Sequence, residues 1–111
     1  MEIEHITYKR CDLVKVKGRL DSASAPEFDE KLKQITNSGR YRIVIDMGDL
    51  QFISSAGLRA LISAQKVCRR YNRGEVVLTN VPENIKAALD LAGFTRLFKI
   101  YPDVVSAVAN V

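Results

Sequence analysis

The chain has 111 residues, of which 47% are hydrophobic and 27% are charged, a composition that suits one compact globular domain. No run of roughly 18 apolar residues occurs, so the sequence predicts no transmembrane helix, and residues 1–5 lack the basic and apolar regions of a signal peptide. We therefore expect a cytoplasmic domain. Its net charge of +4 is compatible with an acidic partner but does not require one.

The first residues predict a β-hairpin. Residues 1–8 alternate in polarity with the period of a strand, and residues 13–17 resume this alternation after a turn at residues 9–12. Gly18 is expected to end the second strand.

A helix is predicted to follow, beginning at Ser24. Ser24 is a typical N-cap residue, Glu27 would complete a capping box with it, and Pro26 falls in the first turn. The helical spacing then places on one face Phe28, Leu32 and Ile35. Residues 37–39, Asn-Ser-Gly, are typical of a helix end.

The middle of the chain predicts a buried strand and a long helix. Residues 42–46 contain a continuous β-branched run, which is typical of a central strand covered on both faces. The helix is expected from about Ala56 to Tyr71 and to end at residues 72–74. Its predicted core face consists of Leu61, Ala64, Cys68 and Tyr71, with Leu58 and Ile62 alongside.

The last third predicts a strand, a helix, a strand and a helix. Residues 76–78 form a short apolar strand, and Pro82 starts a helix that Gly93 stops. The apolar face of that helix holds Ile85, Ala88, Leu89 and Ala92. Residues 97–100 predict a last strand, and Asp103 can cap a final helix that carries Val104, Val105, Val108 and Val111.

The predicted element order is ββαβαβαβα, which indicates an α/β fold. Strands that alternate with helices form parallel pairs joined by right-handed crossovers, whereas the first two strands pair as a hairpin. We therefore expect a mixed sheet of about five strands with about four helices. No linker or repeat divides the chain, so residues 1–111 are predicted to form a single domain.

The cysteines and the single histidine do not indicate a metal site. Cys11 and Cys68 are far apart and form no CxxC motif, and His5 has no cluster of other ligands around it. We interpret the cysteines as reduced thiols, with a disulfide or redox switch as the alternative. No metal and no cofactor is predicted.

The segment from Asp49 to Leu58 is the most informative part of the sequence. It places Ser54 and Ser55, with two small residues after them, where a buried strand gives way to a helix. A hydroxyl group at the exposed start of a helix can be phosphorylated with little strain, because the free backbone N–H groups and the helix dipole favour negative charge. We interpret this segment as a regulatory serine site on a binding module, with no catalytic nucleophile.

Three motifs in this chain resemble the STAS domain family, the fold of bacterial anti-anti-sigma factors. Residues 18–21, Gly-Arg-Leu-Asp, resemble the family's G-x-L-D turn, and residues 43–46 resemble its central strand, which ends in Asp. Residues 52–58 resemble its phosphorylation motif, in which a serine lies two residues before Gly-Leu. The motifs occur in order across essentially the whole chain, so the resemblance implies a single STAS domain.

The resemblance also implies a function and a set of partners. The unphosphorylated family member binds an anti-sigma factor that is also a serine kinase, and thereby frees a sigma factor. The kinase phosphorylates the serine and ends the interaction, and a metal-dependent serine phosphatase reverses it. Carried over to this chain, the acceptor is Ser55. Many members have Asp immediately before the acceptor, where this chain has Ser54, so Ser54 stays open as a second acceptor.

Four further residues complete the predicted partner-binding site. Arg59 shares a helix face with Ser55 and is a candidate partner for its phosphate, with a plain solvent-facing arginine as the alternative. Gly57 allows either close approach of a partner or tight packing within the domain, and Ala56 keeps the site open. Asp21 either presents the hydroxyl group or holds its own loop by an Asx turn.

The one basic cluster in the sequence lies at the end of the long helix. It consists of Lys66, Arg69, Arg70 and Arg73. We interpret these residues as cations that complement a helix C-terminus, because the only aromatic residue among them, Tyr71, is expected on the core face. We therefore predict neither direct nucleic-acid binding nor membrane binding.

Three other classes of function stay open beside the phosphorylation switch. An enzyme is disfavoured because no Ser/His/Asp set and no glycine-rich phosphate loop occurs. A STAS scaffold subunit of a stress-sensing or lipid-transport assembly would use Ser55 only as a structural cap. A small ligand such as a nucleotide could bind at the carboxyl ends of the strands. A weak homodimer is also left open.

Overall fold

The computed structural model describes residues 1–111 and contains five strands, four α-helices and two single-turn 3₁₀ helices. In chain order the elements are β1 (Glu2–Thr7), β2 (Asp12–Leu20), α1 (Ala25–Asn37), β3 (Arg42–Ile53), α2 (Ser55–Arg69), a 3₁₀ turn (Arg70–Asn72), β4 (Glu75–Thr79), α3 (Glu83–Leu91), a second 3₁₀ turn (Thr95–Leu97), β5 (Lys99–Tyr101) and α4 (Val104–Asn110). The strands form one sheet in the order β1-β2-β3-β4-β5. β1 is antiparallel to β2 and the other neighbours are parallel, which confirms the predicted mixed α/β sheet.

The central strand β3 separates two hydrophobic clusters, as its β-branched run predicts. Residues 43–47 are all buried, and alternate side chains point to opposite faces of the sheet. The larger cluster covers the face of Ile43, Ile45 and Met47 and includes side chains of α1, α2 and α3. The smaller cluster contains Val44 on the other face, where Ala107 of α4 covers it. No helix is both long and apolar enough to cross a membrane.

β2 and β3 both run further than the sequence predicts. Gly18 does not end β2, which continues to Leu20, and β3 continues past Asp46 to Ile53. The pairing shifts register between Lys15 and Lys17 and again between Gly18 and Arg19, so β3 contributes one extra residue at each bulge. Gly18 adopts a φ of 91°, which a glycine can take at such an irregularity without ending the strand.

The capping box predicted at the start of α1 is wrong. Ser24 occupies the N-cap position, but its side chain accepts no hydrogen bond from the first turn of the helix. Its hydroxyl group instead donates to the Arg19 carbonyl at 2.8 Å and accepts the Asp21 N–H at 3.0 Å. The serine therefore stabilises the loop between β2 and α1, and Pro26 supplies the fixed geometry of the helix start.

α2 ends earlier than predicted, and Tyr71 is not a core residue. The helix stops at Arg69, and Tyr71 is 79% exposed. Tyr71 and Asn72 have φ angles of 59° and 56°, so the chain turns away from the helix axis before it reaches Gly74. Gly74 is required there, because a Cβ atom would lie 2.2 Å from the Tyr41 carbonyl oxygen.

The last third follows the predicted order with shifted bounds. A 3₁₀ turn occupies Thr95–Leu97, so β5 begins at Lys99 instead of residue 97. Asp103 caps α4 as predicted, since its side chain accepts the Ser106 N–H at 2.8 Å. Two apolar residues of the predicted helices are exposed: Ala92 follows the end of α3, and Val105 is 79% exposed because Ala107 takes the buried position of α4.

Both cysteines are buried and unpaired. Cys68 packs in the larger cluster, and burial raises the pKa of its thiol to about 11. Cys11 lies in the smaller cluster, where burial also raises the pKa of its thiol. Both thiols are therefore protonated at neutral pH, and neither is activated as a nucleophile.

The buried side chain of Gln65 in α2 forms hydrogen bonds with the backbone of β4. Its amide nitrogen donates to the Val76 carbonyl at 3.0 Å and the Leu97 carbonyl at 2.6 Å, and its amide oxygen accepts the Val76 N–H at 2.6 Å. The β4–β5 pairing begins only at Val77 opposite Lys99. The glutamine amide therefore satisfies the backbone groups of Val76 where the next strand has not yet begun.

We predict that Gln65→Met destabilises the fold by roughly 2–3 kcal/mol, because it leaves buried backbone groups of Val76 and Leu97 without partners. Urea unfolding followed by circular dichroism measures the change. Gln34→Met is the matched control, since Gln34 is exposed on α1 and its replacement should change stability by less than about 0.5 kcal/mol. Equal effects of the two substitutions would contradict this role of Gln65.

Candidate functional site

The predicted serine site lies at the carboxyl ends of β2 and β3. The bulges bring these parallel strands to a common end, with Leu20 opposite Ile53. Asp21 and Ser54 each follow directly, so the loop before α1 and the start of α2 emerge side by side. The structure thus brings Asp21, Ser54 and Ser55 to the same edge of the sheet.

Ser54 fixes the junction between β3 and α2. Its backbone N–H donates to the Leu20 carbonyl at 2.8 Å, which ties the end of β3 to the end of β2. Its side-chain oxygen accepts the Gly57 N–H at 3.2 Å, and its carbonyl accepts the Leu58 N–H at 2.9 Å. Ser54 is therefore the N-cap of α2, and its hydroxyl oxygen is engaged within the chain.

Ser55 is the first residue of α2 and is exposed. None of the side-chain hydrogen bonds of the chain involves its hydroxyl group, in contrast to Ser54. The N–H groups at the start of a helix have no acceptor within the helix, so the surroundings of Ser55 carry a partial positive charge. A free hydroxyl group in this position can receive a phosphate without displacing any contact that holds the fold.

Gly57 is needed for packing inside the domain. It is buried, and a Cβ atom at this position would lie 2.8 Å from Cγ of Leu20 and 3.0 Å from Cγ1 of Ile53. These two side chains belong to the larger hydrophobic cluster and end the two strands that carry the site. Of the two interpretations that the sequence left open, the structure favours close packing of the helix start against the sheet.

Asp21 organises its own loop. One carboxylate oxygen accepts the N–H groups of Ala23 and Ser24, both at 3.0 Å, and lies 3.1 Å from the Ser24 hydroxyl oxygen, whose single proton it shares with the Arg19 carbonyl. The hydrogen bonds from Ser24 hold the pKa of the Asp21 carboxyl below its ordinary value. The carboxylate is thus charged at neutral pH and adds a negative charge to the edge of the sheet on which Ser55 lies.

A shallow groove between α1 and α2 leads away from Ser55. Its volume is about 380 Å³, and its lining includes Ala56 and Arg59 from α2 and Ser22, Pro26 and Asp29 from the α1 side. Arg59 is exposed, forms no ion pair and follows Ser55 by one helical turn. Its guanidinium group is therefore free to meet a new charge at Ser55.

Two residues beside the serine were not predicted as part of the site. The Arg19 guanidinium lies 4.4 Å from the centre of the Phe52 ring, and Phe52 is 37% exposed. The two residues face each other across β2 and β3 two positions before Ser54. An aromatic residue at an exposed strand position was the available signal, but the pairing with Arg19 depends on the bulged register.

Asp46, the residue that ends the predicted central strand, stabilises the first bulge of β3, which lies between Asp46 and Asp49. Its carboxylate accepts the Gly48 N–H at 3.0 Å and the Asn80 side-chain amide at 3.2 Å. Asp46 is buried at the end of the run that separates the two clusters. The aspartate therefore stabilises the irregular part of β3 that leads to the serine.

No group of three or more His, Cys, Asp or Glu side chains could hold a metal ion. The one histidine, His5, lies in β1 with Nε2 at 3.7 Å from an Asp12 oxygen, and Asp12 starts β2 at the end opposite to the serine. The histidine therefore lies near the start of β2, whereas the serine site lies beyond its end, so His5 is not beside Ser55.

Comparison with known proteins places the chain in a family. The model of the STAS domain family matches residues 2–107, and the chain therefore belongs to the STAS domain family, as its motifs indicate. BtrV of Bordetella bronchiseptica, named as a candidate anti-sigma factor antagonist, is 32% identical over 85 residues, which cover 77% of this chain and 72% of BtrV. The anti-sigma-B factor antagonist of Staphylococcus epidermidis is 26% identical over 100 residues, covering 90% and 92% of the two chains.

Solved structures show the same fold. A candidate anti-sigma factor antagonist of Thermotoga maritima superposes with a TM-score of 0.90 at 20% identity, covering 98% of this chain and 93% of that one. The Bacillus protein SpoIIAA in its phosphorylated form superposes with a TM-score of 0.76 at 14% identity, covering 97% of both chains. The named relatives are regulators of the anti-sigma factor antagonist type.

We predict that the two neighbouring serines differ in their effect on stability. Ser54→Ala removes the N-cap and should destabilise the fold by about 1 kcal/mol. Ser55→Ala removes an unbonded hydroxyl group and should change stability by less than about 0.5 kcal/mol. Urea unfolding of the two variants measures the difference, and a larger loss from Ser55→Ala would contradict the assignment of Ser54 as the cap.

We predict that Gly57→Ala destabilises the fold by about 1–3 kcal/mol, because Leu20 and Ile53 must move to admit the methyl group. In an exposed helix the same substitution would stabilise by about 1 kcal/mol, so the sign of the change is diagnostic. Ser63→Ala on the exposed side of α2 is the control and should be nearly neutral. Thermal unfolding of both variants measures the change. A Gly57→Ala protein that is more stable than wild type would show that the space beside Gly57 can admit a methyl group, and would contradict the close packing against Leu20 and Ile53.

Proposed function

We propose that this chain is an anti-sigma factor antagonist controlled by phosphorylation of Ser55. In the unphosphorylated form it binds an anti-sigma factor that is also a serine kinase, and so releases a sigma factor. Phosphorylation of Ser55 ends the interaction, and a serine phosphatase restores it. The observation that carries the proposal is the division of roles between two adjacent serines, with Ser54 engaged as the cap and Ser55 exposed and unbonded.

The position of Ser55 favours a phosphate that leaves the fold intact. A phosphate adds a charge of about −1.5 to −2 at neutral pH. At the first residue of a helix this charge interacts favourably with the helix dipole and the free N–H groups. SpoIIAA, whose phosphorylated form has this fold, is consistent with a phosphate that the fold accommodates.

The same phosphate would act strongly on a bound partner. Exposed aromatic and arginine side chains lie at the same end of the sheet as Ser55: Phe52 with Arg19 near the ends of β3 and β2, and Arg59 in the groove beside α2. Such side chains are typical of residues that dominate binding energy. A phosphate buried in such an interface would bring charge and bulk without compensation. A loss of about 3 kcal/mol would weaken binding roughly 150-fold, which is sufficient for a switch.

Arg59 has a proposed part in the switched-off form. It is one helical turn from Ser55 and has no other charged partner, so it can pair with the phosphate on the surface of this domain. Ser54 and Gly57 contribute to the partner site indirectly, because they fix where Ser55 points. Asp21 holds the neighbouring loop, and Ala56 lines the groove.

The proposal does not include catalysis by this chain. No cluster of metal ligands lies at the site, the one histidine is remote from Ser55, and the named relatives are regulators. A STAS scaffold subunit of a stress-sensing or lipid-transport assembly, in which Ser55 is never modified, is the competing function.

We predict that wild-type protein and Ser55→Ala retain a serine kinase of the anti-sigma type from lysate of the source organism, and that Ser55→Asp loses it. Immobilised protein and mass spectrometry identify what is retained. Gln34→Glu is the matched control, since it adds one negative charge on an exposed part of α1 and should bind like wild type. If all four proteins retain the same partners, the serine switch is wrong and the scaffold function stands.

A further inference from the structure

The pole opposite to Ser55 carries a basic groove. The parallel strands begin there, and the first residues of β3 and β5, Arg42 and Lys99, lie around a cleft of about 520 Å³. Arg69, the last residue of α2, and Arg73, which follows the 3₁₀ turn after α2, line the same cleft. A second cleft of about 210 Å³ adjoins it, shares Arg42 and Arg73, and adds Arg10 and Arg40. We call the two clefts together the basic groove.

Most of the charge in the basic groove is not neutralised. Glu75 is the one acidic side chain that lines it, at 3.6 Å from Arg69 and 3.4 Å from Lys99. Arg40 pairs with Asp12 at 3.0 Å. The remaining lining cations form no ion pair; they are Arg10, Arg42 and Arg73. Three guanidinium groups therefore face solvent from one concave surface.

A helix C-terminus does not account for this arrangement. Cations in the last turn of α2 complement the helix dipole, and that explanation covers Lys66 and Arg69. Arg10 lies in the turn between β1 and β2, and Arg42 is the first residue of β3. Their convergence depends on the topology of the sheet, so the sequence-based interpretation of one helix-end cluster is incomplete.

Aromatic side chains hold one of the arginines in place. Arg73 donates to the Tyr41 hydroxyl group at 2.8 Å, and its guanidinium lies 5.0 Å from the Tyr41 ring centre and 5.5 Å from the Tyr71 ring centre. Tyr71, which the sequence placed in the core, is thus part of the groove surroundings. A guanidinium group held in this way loses less freedom when it binds an anion.

We propose that the basic groove binds an acidic segment of a partner protein through its aspartate and glutamate carboxylates. Arginine predominates over lysine in the groove, and the planar guanidinium group matches a carboxylate with two parallel hydrogen bonds. The two clefts run side by side through shared residues, which suits an extended segment with several carboxylates.

Two other kinds of anionic partner fit the groove less well. Single-stranded nucleic acid is bound by stacking on free aromatic faces, but Arg73 occupies a position over both nearby tyrosine rings. A bilayer surface would require exposed apolar side chains beside the cations, and Val111 is the one hydrophobic residue that lines the larger cleft.

This second site is separate from the serine site. α2 extends from Ser55 at one pole to Arg69 at the other, a length of about 20 Å at 1.5 Å per residue. A phosphate at Ser55 is therefore more than a Debye length from the groove at physiological ionic strength. The acidic segment should bind whether or not Ser55 is modified, and the test does not depend on the proposed switch.

Fluorescence anisotropy tests the proposal with three labelled probes. The first is a peptide in which Glu alternates with Gly, and the second is the same peptide with Gln for Glu. The third is a single-stranded DNA with the same number of negative charges as the Glu peptide. Arg42→Glu/Arg73→Glu should weaken binding of the Glu peptide by at least about tenfold. The matched control is Lys86→Glu/Arg96→Glu, which changes the net charge equally at exposed positions outside the groove and should weaken it by less than about threefold. Ser55→Asp should bind like wild type.

Several results would overturn the proposal. If Arg42→Glu/Arg73→Glu and Lys86→Glu/Arg96→Glu weaken binding of the Glu peptide equally, the net charge of the protein alone attracts the peptide. Equal affinity of wild type for the Glu and Gln peptides, or no binding of the Glu peptide, would show that the groove does not recognise carboxylates. Tighter binding of the DNA would assign the groove to nucleic acid. If circular dichroism shows that Arg42→Glu/Arg73→Glu is unfolded, the comparison of Arg42→Gln/Arg73→Gln with Lys86→Gln/Arg96→Gln decides in the same way.

Discussion

Three kinds of contact fix the junction of β3 with α2, and this junction determines where Ser55 lies. Ser54 binds the end of β2 through its N–H and caps α2 through its hydroxyl oxygen, while Gly57 lets the helix start pack against Leu20 and Ile53. Because backbone, side chain and packing all fix the same few residues, Ser55 has one defined position. Because Ser54 takes the N-cap position, its hydroxyl oxygen is bound to the Gly57 N–H, and the hydroxyl group of Ser55, the next residue, is left exposed.

The parallel sheet places two separate surfaces at its opposite ends. The serine site lies at the carboxyl ends of β2 and β3. The first residues of β3, β4 and β5 lie around the basic groove at the other end of the sheet. α2 connects the two poles, and Gln65 in its middle attaches it to β4. A rigid helix on a buried strand keeps the two surfaces apart, so each can meet its own partner.

Local patterns predicted much of this fold, and long-range contacts account for what they missed. The helical spacing of Phe28, Leu32 and Ile35 and the run at residues 43–46 depend on near neighbours in sequence, and both were read correctly. The same spacing placed Tyr71 in the core, but the chain leaves the helix axis at Tyr71 and Asn72, whose φ angles are positive, and then passes close to the Tyr41 carbonyl at Gly74. The partners of Gln65, 11 and 32 residues away, follow no sequence period. At the site, the serine segment was evident, whereas the Arg19–Phe52 contact and the basic groove depend on register and topology.

We expect phosphorylation at Ser55 to change what the domain binds and to leave its fold unchanged. The most direct measurement compares the ¹H–¹⁵N correlation spectra of the protein with serine and with incorporated phosphoserine at residue 55. If the phosphate is accommodated at the helix start, chemical-shift changes are confined to the start of α2, the loop at residues 19–24 and the groove beside Arg59, and the core of the sheet and the basic groove are unchanged. Chemical-shift changes spread through β3, β4 and the larger hydrophobic cluster would show instead that the phosphate rearranges the domain itself.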